Sequence, residues 1–320
     1  MSGAEEMRKE IDRREFLRQT LLVLAASGFV SLGDWTPAFG AVPVAAAAPP
    51  LLAVARNGSP EALTRAALAG LGGMGKFVSR GDTVIVKPNI GWDRTVEQAA
   101  NSHPEVVKAV VAMCLEAGAK SVRVMDRPCN DPRRCYQRSG IQPAILSLGA
   151  PEATIEFMDE RKFVEIPLKN PQGSLKSWTF YKDFLEADKV INNPVAKHHN
   201  ATRLTMSLKN VMGVLGGNRG NIHHDLDRNI AELNAVFKFH LHVLDAVRIL
   251  TANGPQGGRV KDVRDLHTVA ASTDPVALDA FGATLFGLTA GDVPHILYAA
   301  RLGLGSSDLS KVKLSITDLA

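Results

Sequence analysis

Between Lys197 and Asp225 the chain reads KHHNATRLTMSLKNVMGVLGGNRGNIHHD, directly after the apolar run KVINNPV, which has the pattern of a buried strand. Four of the nine histidines (His198, His199, His223, His224) fall in this stretch, with Lys197, Lys209 and a glycine-rich turn from Gly213 to Gly220. Imidazoles, ammonium groups and compliant backbone gathered beyond a strand are the materials of a metal or anion site. His199 is suited to acid/base work or to holding a divalent metal, and its plain alternative is a loop histidine bonded to backbone. His198 faces another way if the segment is extended. His223 and His224 are further metal-ligand candidates, with Asp225 as a ligand or as the acceptor that fixes a tautomer.

Lys209 and Asn210 follow the alternating run LTMSL, so a strand or helix end presents them to the site, where a lysine holds a carboxylate or phosphate as a point charge. Lys87 and Asn89 carry the same reading as candidates for cofactor binding, because they end the run DTVIVKPN. Asp245 closes the apolar stretch HLHVL, and a carboxylate there is costly to bury unless it meets a metal, a lysine or N–H groups. His240 and His242, two apart, are either a metal clamp or half-exposed neighbours on a sheet. Asp274 reads as a helix cap; Asp279 is open. The turn from Asn253 to Gly258 is an anion cradle or a tight connection.

The elements that would position these residues follow from periodicity. Ser59-Pro60 opens a helix that the glycines at 70–75 stop. DTVIVKPNI is a buried parallel strand. Ser102, as N-cap, opens the helix PEVVKAVVAMCLEA, and SVRVMD returns as a strand. This strand–helix–strand unit implies a right-handed crossover and a parallel sheet, with ligands beyond the strands' carboxyl ends, near Lys87, Asn89, Asp126 and Arg127. A helix over 226–239, strands HLHVLDAVRIL and VRDLHTVAAS, a helix opened by Asp274-Pro275 and a last strand KVKLSI complete the chain. The expected class is α/β: a mainly parallel sheet flanked by helices, in two closely joined Rossmann-like lobes (51–160 and 161–320).

Composition narrows the partners. With 45% apolar and 22% charged residues the chain can bury a core, and a net charge of +4 without a basic block argues against nucleic acid. Asp12-Arg13-Arg14-Glu15-Phe16-Leu17-Arg18, followed by the apolar stretch Leu21–Val30, resembles a twin-arginine export signal and is too short for a stable membrane span. Residues 1–48 are therefore read as signal and linker, handled by the twin-arginine export machinery and leading to a periplasmic location. Three cysteines cannot ligate an iron–sulfur cluster by themselves. Cys114 reads as core, whereas Cys129 and Cys135 are open to a disulfide, to free thiols or to metal. The absence of GxGxxG after the first strand, of GxxxxGK[ST] and of GxSxG disfavours standard nucleotide sites and a serine hydrolase.

The ordered set VIVKPN, HPEVV with EAGAKSVRVMD, ADKVINNPVAKHH, MSLKNVMG, NGPQGG and ASTDPVALDA, from about residue 54 to 316, resembles the family catalogued as domain of unknown function 362. A fainter similarity is to the nickel-pincer lactate racemase family, on the helix closed by Ala-Gly and on the spacing of His199, Lys209 and His223/His224. That resemblance implies that Lys209 anchors or neutralises an anionic cofactor, that His223 or His224 binds metal, and that His199 moves a proton or ligates. The chain departs from it by carrying Asp126-Arg127-Pro128 where that family has a histidine, and by placing Gly216-Gly217 after the lysine. The expectation is an enzyme that uses a divalent metal, alone or in an organic cofactor, on a small anionic substrate. The alternatives are a non-catalytic metal or anion carrier, or a redox protein using Cys129 and Cys135.

Overall fold

The computed structural model describes residues 51–168 and 172–320. The expected export signal and linker, residues 1–48, lie outside the described residues. The strands are β1 (Leu51–Arg56), β2 (Thr83–Pro88), β3 (Ser121–Val124), β4 (Ala153–Ile155), β5 (Phe163–Pro167), β6 (Ser177–Tyr181), β7 (Lys189–Asn193), β8 (Val195–His199), β9 (Arg203–Thr205), β10 (Leu241–Leu250), β11 (Val263–Ser272) and β12 (Lys313–Asp318). The helices are α1 (Pro60–Gly70), α2 (Pro104–Glu116), α3 (Pro132–Arg138), α4 (Ile141–Leu146), α5 (Lys182–Glu186), α6 (Leu226–Val236), α7 (Pro275–Thr284) and α8 (Pro294–Arg301).

Ten strands form one sheet along the path β12-β1-β11-β10-β7-β2-β3-β4, with β8 attached to β10 and β9 to β8; β5 and β6 form a separate pair. The halves expected as lobes 51–160 and 161–320 both contribute strands to this one sheet. Pairing is parallel except where β11 meets β1 and β10, and where β9 meets β8. Both faces of the sheet are covered, so its central strands are apolar throughout rather than alternating. Val84 and Val86 of β2 join the core on the side of α1 and α2, whereas Ile85 joins the core shared with α6, α7 and α8. Strand order reverses between β2 and β7, and ligands of open α/β sheets sit outside the strand ends at such a point.

Local chemistry fixes how chains leave that point. Ser59 and Asp274 cap α1 and α7, accepting from Ala62 N at 3.3 Å and Ala277 N at 2.8 Å. The cap of α2 differs from expectation: His103 takes it, its Nδ1 accepting from Glu105 N. Ser102 is committed elsewhere, its hydroxyl accepting from Asn89 N at 2.8 Å and donating to Asn193 O at 2.7 Å. It thereby ties the exits of β2 and β7 together. Pro194 separates β7 from β8, and Asp245 N donates to its carbonyl at 2.8 Å. The Asn253–Gly258 turn closes over β8: Gly254 N donates to His198 Nδ1 at 3.1 Å, and a Cβ at Gly254 would meet the His198 carbonyl oxygen at 1.8 Å. That amide is therefore spent on His198 rather than left for an anion.

Candidate anion-binding site

A cavity of about 660 Å³ opens beyond the carboxyl ends of β2, β3 and β8. Of the residues predicted for the site, Lys87, Asn89, His199, Lys209, Asn210 and His223 line it. His224 and Asp245 do not. His224 is exposed on the adjoining turn. Asp245 accepts from His103 N at 2.6 Å and Val247 N at 3.0 Å, so its carboxylate serves the start of α2 and the bend in β10. Burial pushes that carboxyl up to about 6. His242 turns inward, its Nδ1 3.0 Å from Asn192 Nδ2, whereas His240 stays exposed at the surface with its Nδ1 accepting from Val190 N at 3.0 Å.

The floor is one continuous polar network. Lys87, fully buried, reaches Asp126 Oδ1 at 2.8 Å, Pro88 O at 2.9 Å and Asn210 Oδ1 at 2.9 Å. Asn210 Oδ1 accepts also from Asn89 Nδ2 at 2.9 Å, while its own Nδ2 donates to Asn192 Oδ1 at 2.7 Å. Asn89 Oδ1 in turn accepts from Lys197 Nζ at 2.9 Å, and Lys197 donates to Ala100 O at 2.5 Å. Every one of these groups is satisfied within the protein, which is what makes burying two lysines tolerable. Gly213 closes the floor because a Cβ there would stand 1.8 Å from Asp126 Oδ1 and 2.5 Å from Lys87 Nζ.

Lys209 is the exception. It heads the 3₁₀ turn Lys209–Val214, is 8% exposed, and among the described residues its ammonium has no hydrogen-bond or ion-pair partner. Burial, reinforced by the nearby charges of Arg219 and Lys87, pulls it down to about 8, and burial draws Lys197 down to about 7. The turn is held from behind by Asp279 of α7, whose carboxylate accepts from Ser207 N at 2.7 Å and Leu208 N at 2.9 Å. Asn234 of α6 donates to Leu208 O at 2.9 Å.

The two cavity histidines have opposite polarity. His199 Nδ1 accepts from Ala201 N at 3.1 Å and Thr202 N at 3.3 Å, which leaves the ring proton on Nε2. Burial first, then Lys209 and Lys197, push it down to about 3, so this imidazole is neutral and a donor. His223 Nδ1 lies 3.2 Å from the Arg219 carbonyl, which can only accept, so the lone pair of His223 is on Nε2. A histidine that ligates metal normally donates its second nitrogen, as His223 does and His199 does not.

Arg127 and Arg219 complete the walls. Arg127 donates to Leu215 O and Gly217 O, each at 3.1 Å, and pairs with Glu160. Arg219 donates to the carbonyls of Arg127, Met212 and Pro128, and its Nη2 lies 3.7 Å from Cys129 Sγ. Five basic side chains thus line the cavity against two carboxylates, Asp126 and Glu160. Trp92, Phe157, Met158 and Met212 supply its apolar lining. Cys129 is exposed at the cavity, Cys135 is buried, and both are free thiols.

Sequence reasoning singled out His199 but omitted Lys197 from the candidate site. The signal was there: positions 197 and 199 of one strand face the same side, whereas His198 faces the turn at Gly254. Asp126 and Arg127 were anticipated at the strand ends, but nothing in the sequence showed that Gly213 brings the later turn onto Asp126.

This combination defines an α/β protein with a cationic cavity at the switch point of a mainly parallel sheet. The family model for the domain of unknown function DUF362 matches residues 84–284, and the chain belongs to that family. It is 31% identical over 255 residues to the thylakoid-associated protein sll1697 of Synechocystis, covering 77% of this chain and 76% of that protein. Among solved structures it is similar to the lactate racemase apoprotein of Thermoanaerobacterium thermosaccharolyticum, with TM-score 0.40, 10% identity, and coverage of 71% of this chain and 55% of that one.

Proposed function

We propose that the protein is an enzyme acting on a small organic anion, a carboxylate or phosphate ester, held in the cavity by Lys209. The observation that carries this reading is Lys209, a side chain only 8% exposed that lines a cavity of predominantly positive charge and whose ammonium meets no hydrogen-bond or ion-pair partner among the described residues. A buried cation lacking a counter-charge is expensive, and an anionic ligand supplies what is missing. Lys87 and Lys197 add field from the floor, and His199 Nε2–H offers a neutral donor to a ligand oxygen. His223 Nε2 offers a lone pair able to take a proton from the ligand or to ligate. A proton donor and a proton acceptor facing one anion cavity favour the enzyme over a passive carrier.

Among the described residues no three of His, Cys, Asp and Glu gather as a metal-ligand set, so these described side chains do not by themselves fit a metal ion. An anionic organic cofactor that brings its own metal donors asks less of the protein: one imidazole lone pair, available at His223, and one counter-charge, available at Lys209. When bound, such a group would supply an electron-accepting centre. Export through the twin-arginine route belongs to the same reading and places this chemistry in the periplasm. No helix among the described residues is long and apolar enough to cross a membrane.

A thermal-shift and calorimetric screen of small carboxylates and phosphates against the purified protein, with metal analysis of protein from its native host, tests this. Stabilisation by small anions that is lost in Lys209→Met supports the proposal. Equal response of the variant, or no response to any anion, removes it.

A further inference from the structure

Cys129 has no part in the scheme above, and its surroundings are unusual for a free thiol. It follows β3 in the loop Arg127-Pro128-Cys129, is exposed, and lines the cavity beside the three lysines. Its amide donates to Gly91 O at 2.8 Å, which fixes the backbone on the rim left by β2. Arg219 holds the other side, donating to the two preceding carbonyls and presenting Nη2 to Sγ at 3.7 Å. The thiol is therefore positioned, with a guanidinium against it. The side chains of Lys87, Lys197 and Lys209 line the same cavity as this sulfur. Reactive cysteines occupy such electropositive, accessible surroundings, whereas Cys114 and Cys135 are buried. Lys209, which lines the same cavity, is 8% exposed and has no partner among the described residues, independently marks where an anion would sit.

We propose that Cys129 is a nucleophile directed at anionic electrophiles, adding to the carbonyl carbon of an oxo acid whose carboxylate is held by Lys209. The balance is simple. The sulfur electron pair forms the S–C bond as the carbonyl π pair moves onto oxygen; the thiol proton goes to solvent or to His223 Nε2. The new alkoxide is met by His199 Nε2–H and is protonated from solvent. Nothing is oxidised and no group leaves, so the adduct is a reversible hemithioketal. This rests on the anion-binding reading of Lys209 and adds to it a substrate class, small oxo acids.

Alkylation of the folded protein tests it without knowledge of the natural ligand. Iodoacetate and iodoacetamide are compared at equal concentration, with sites read by peptide mass spectrometry. The anionic reagent is intrinsically the slower, and here it should modify Cys129 faster than the neutral one. The preference should fall about tenfold in molar salt or in Lys209→Met. Pyruvate should protect Cys129, and Cys129→Ser should remove the modification without changing the melting temperature appreciably. Faster reaction with iodoacetamide, or no protection by pyruvate, overturns the nucleophile. If small anions still stabilise the wild type through Lys209 while Cys129 shows no preference for iodoacetate, the cysteine proposal alone falls. If no anion binds, the reading of Lys209 falls with it.

Discussion

At the scale of the residue, the decisive contrast is between lysines that are answered by the protein and one that is not. Lys87 and Lys197 spend their protons on carbonyls, amides and one carboxylate, whereas Lys209 has only the cavity before it. Replacing Lys209 by Met, which keeps the stem and removes the charge, should weaken binding of a small anion by about 1.5–3 kcal/mol, measured by calorimetry. Gly213→Ala should act through the floor instead. Its new Cβ would force Lys87 and Asp126 apart, and breaking a buried ion pair costs about 3–5 kcal/mol in urea denaturation. His199 was legible as a site residue, but its polarity was not. Only the amides of Ala201 and Thr202 reveal that it gives a proton rather than a lone pair to the cavity.

At the scale of the element, the Lys209 turn is positioned by a helix that never enters the cavity. Asp279, one turn inside α7, receives the Ser207 and Leu208 amides, and burial pushes its carboxyl up to about 6. Asp279→Ala would leave two buried amides without acceptors, costing about 2–4 kcal/mol of stability, with faster hydrogen exchange at Ser207 and Leu208. Asp279→Asn should lose less because one acceptor remains. Gly254→Ala should displace the turn over β8 and speed exchange at the Asn200 amide, which donates to the Gly254 carbonyl at 3.2 Å. The sequence located α1, α2, α7, β2, β3, β10 and β11 because each has a clean period or cap. It left Asp279 ambiguous and put Asp245 among the metal ligands, because a buried carboxylate has the same spelling whether it meets a metal or backbone amides. Their partners, Ser207 and His103, lie 72 and 142 residues away.

At the scale of the molecule, the parallel sheet delivers residues from β2, β3, β8 and the following turns to one place, and this much was implied by the strand–helix–strand pattern. The direction of β11 was not, because an antiparallel strand buried on both faces has the same apolar pattern as a parallel one. Burying three lysines also gives the whole protein a pH signature. Lys197 and Lys209, at about 7 and about 8 when folded, lie below their unfolded value of about 10.4. Below about 7 both states carry these charges and the folded state bears the cost of desolvating them. Between about 7 and about 10 the folded protein has released protons that the unfolded chain still holds, so these groups make stability rise with pH. Urea denaturation across that window should show the rise, and Lys197→Met should flatten it.

The most direct test of the central claim is the affinity of the protein for a small, fully ionised dicarboxylate such as oxalate, measured by calorimetry as a function of pH. With Lys209 titrating at about 8, affinity should be highest below that value and decline as pH rises through it, and Lys209→Met should be weak and flat throughout. Binding that is independent of pH between about 6 and about 10 and unchanged by Lys209→Met would contradict the account.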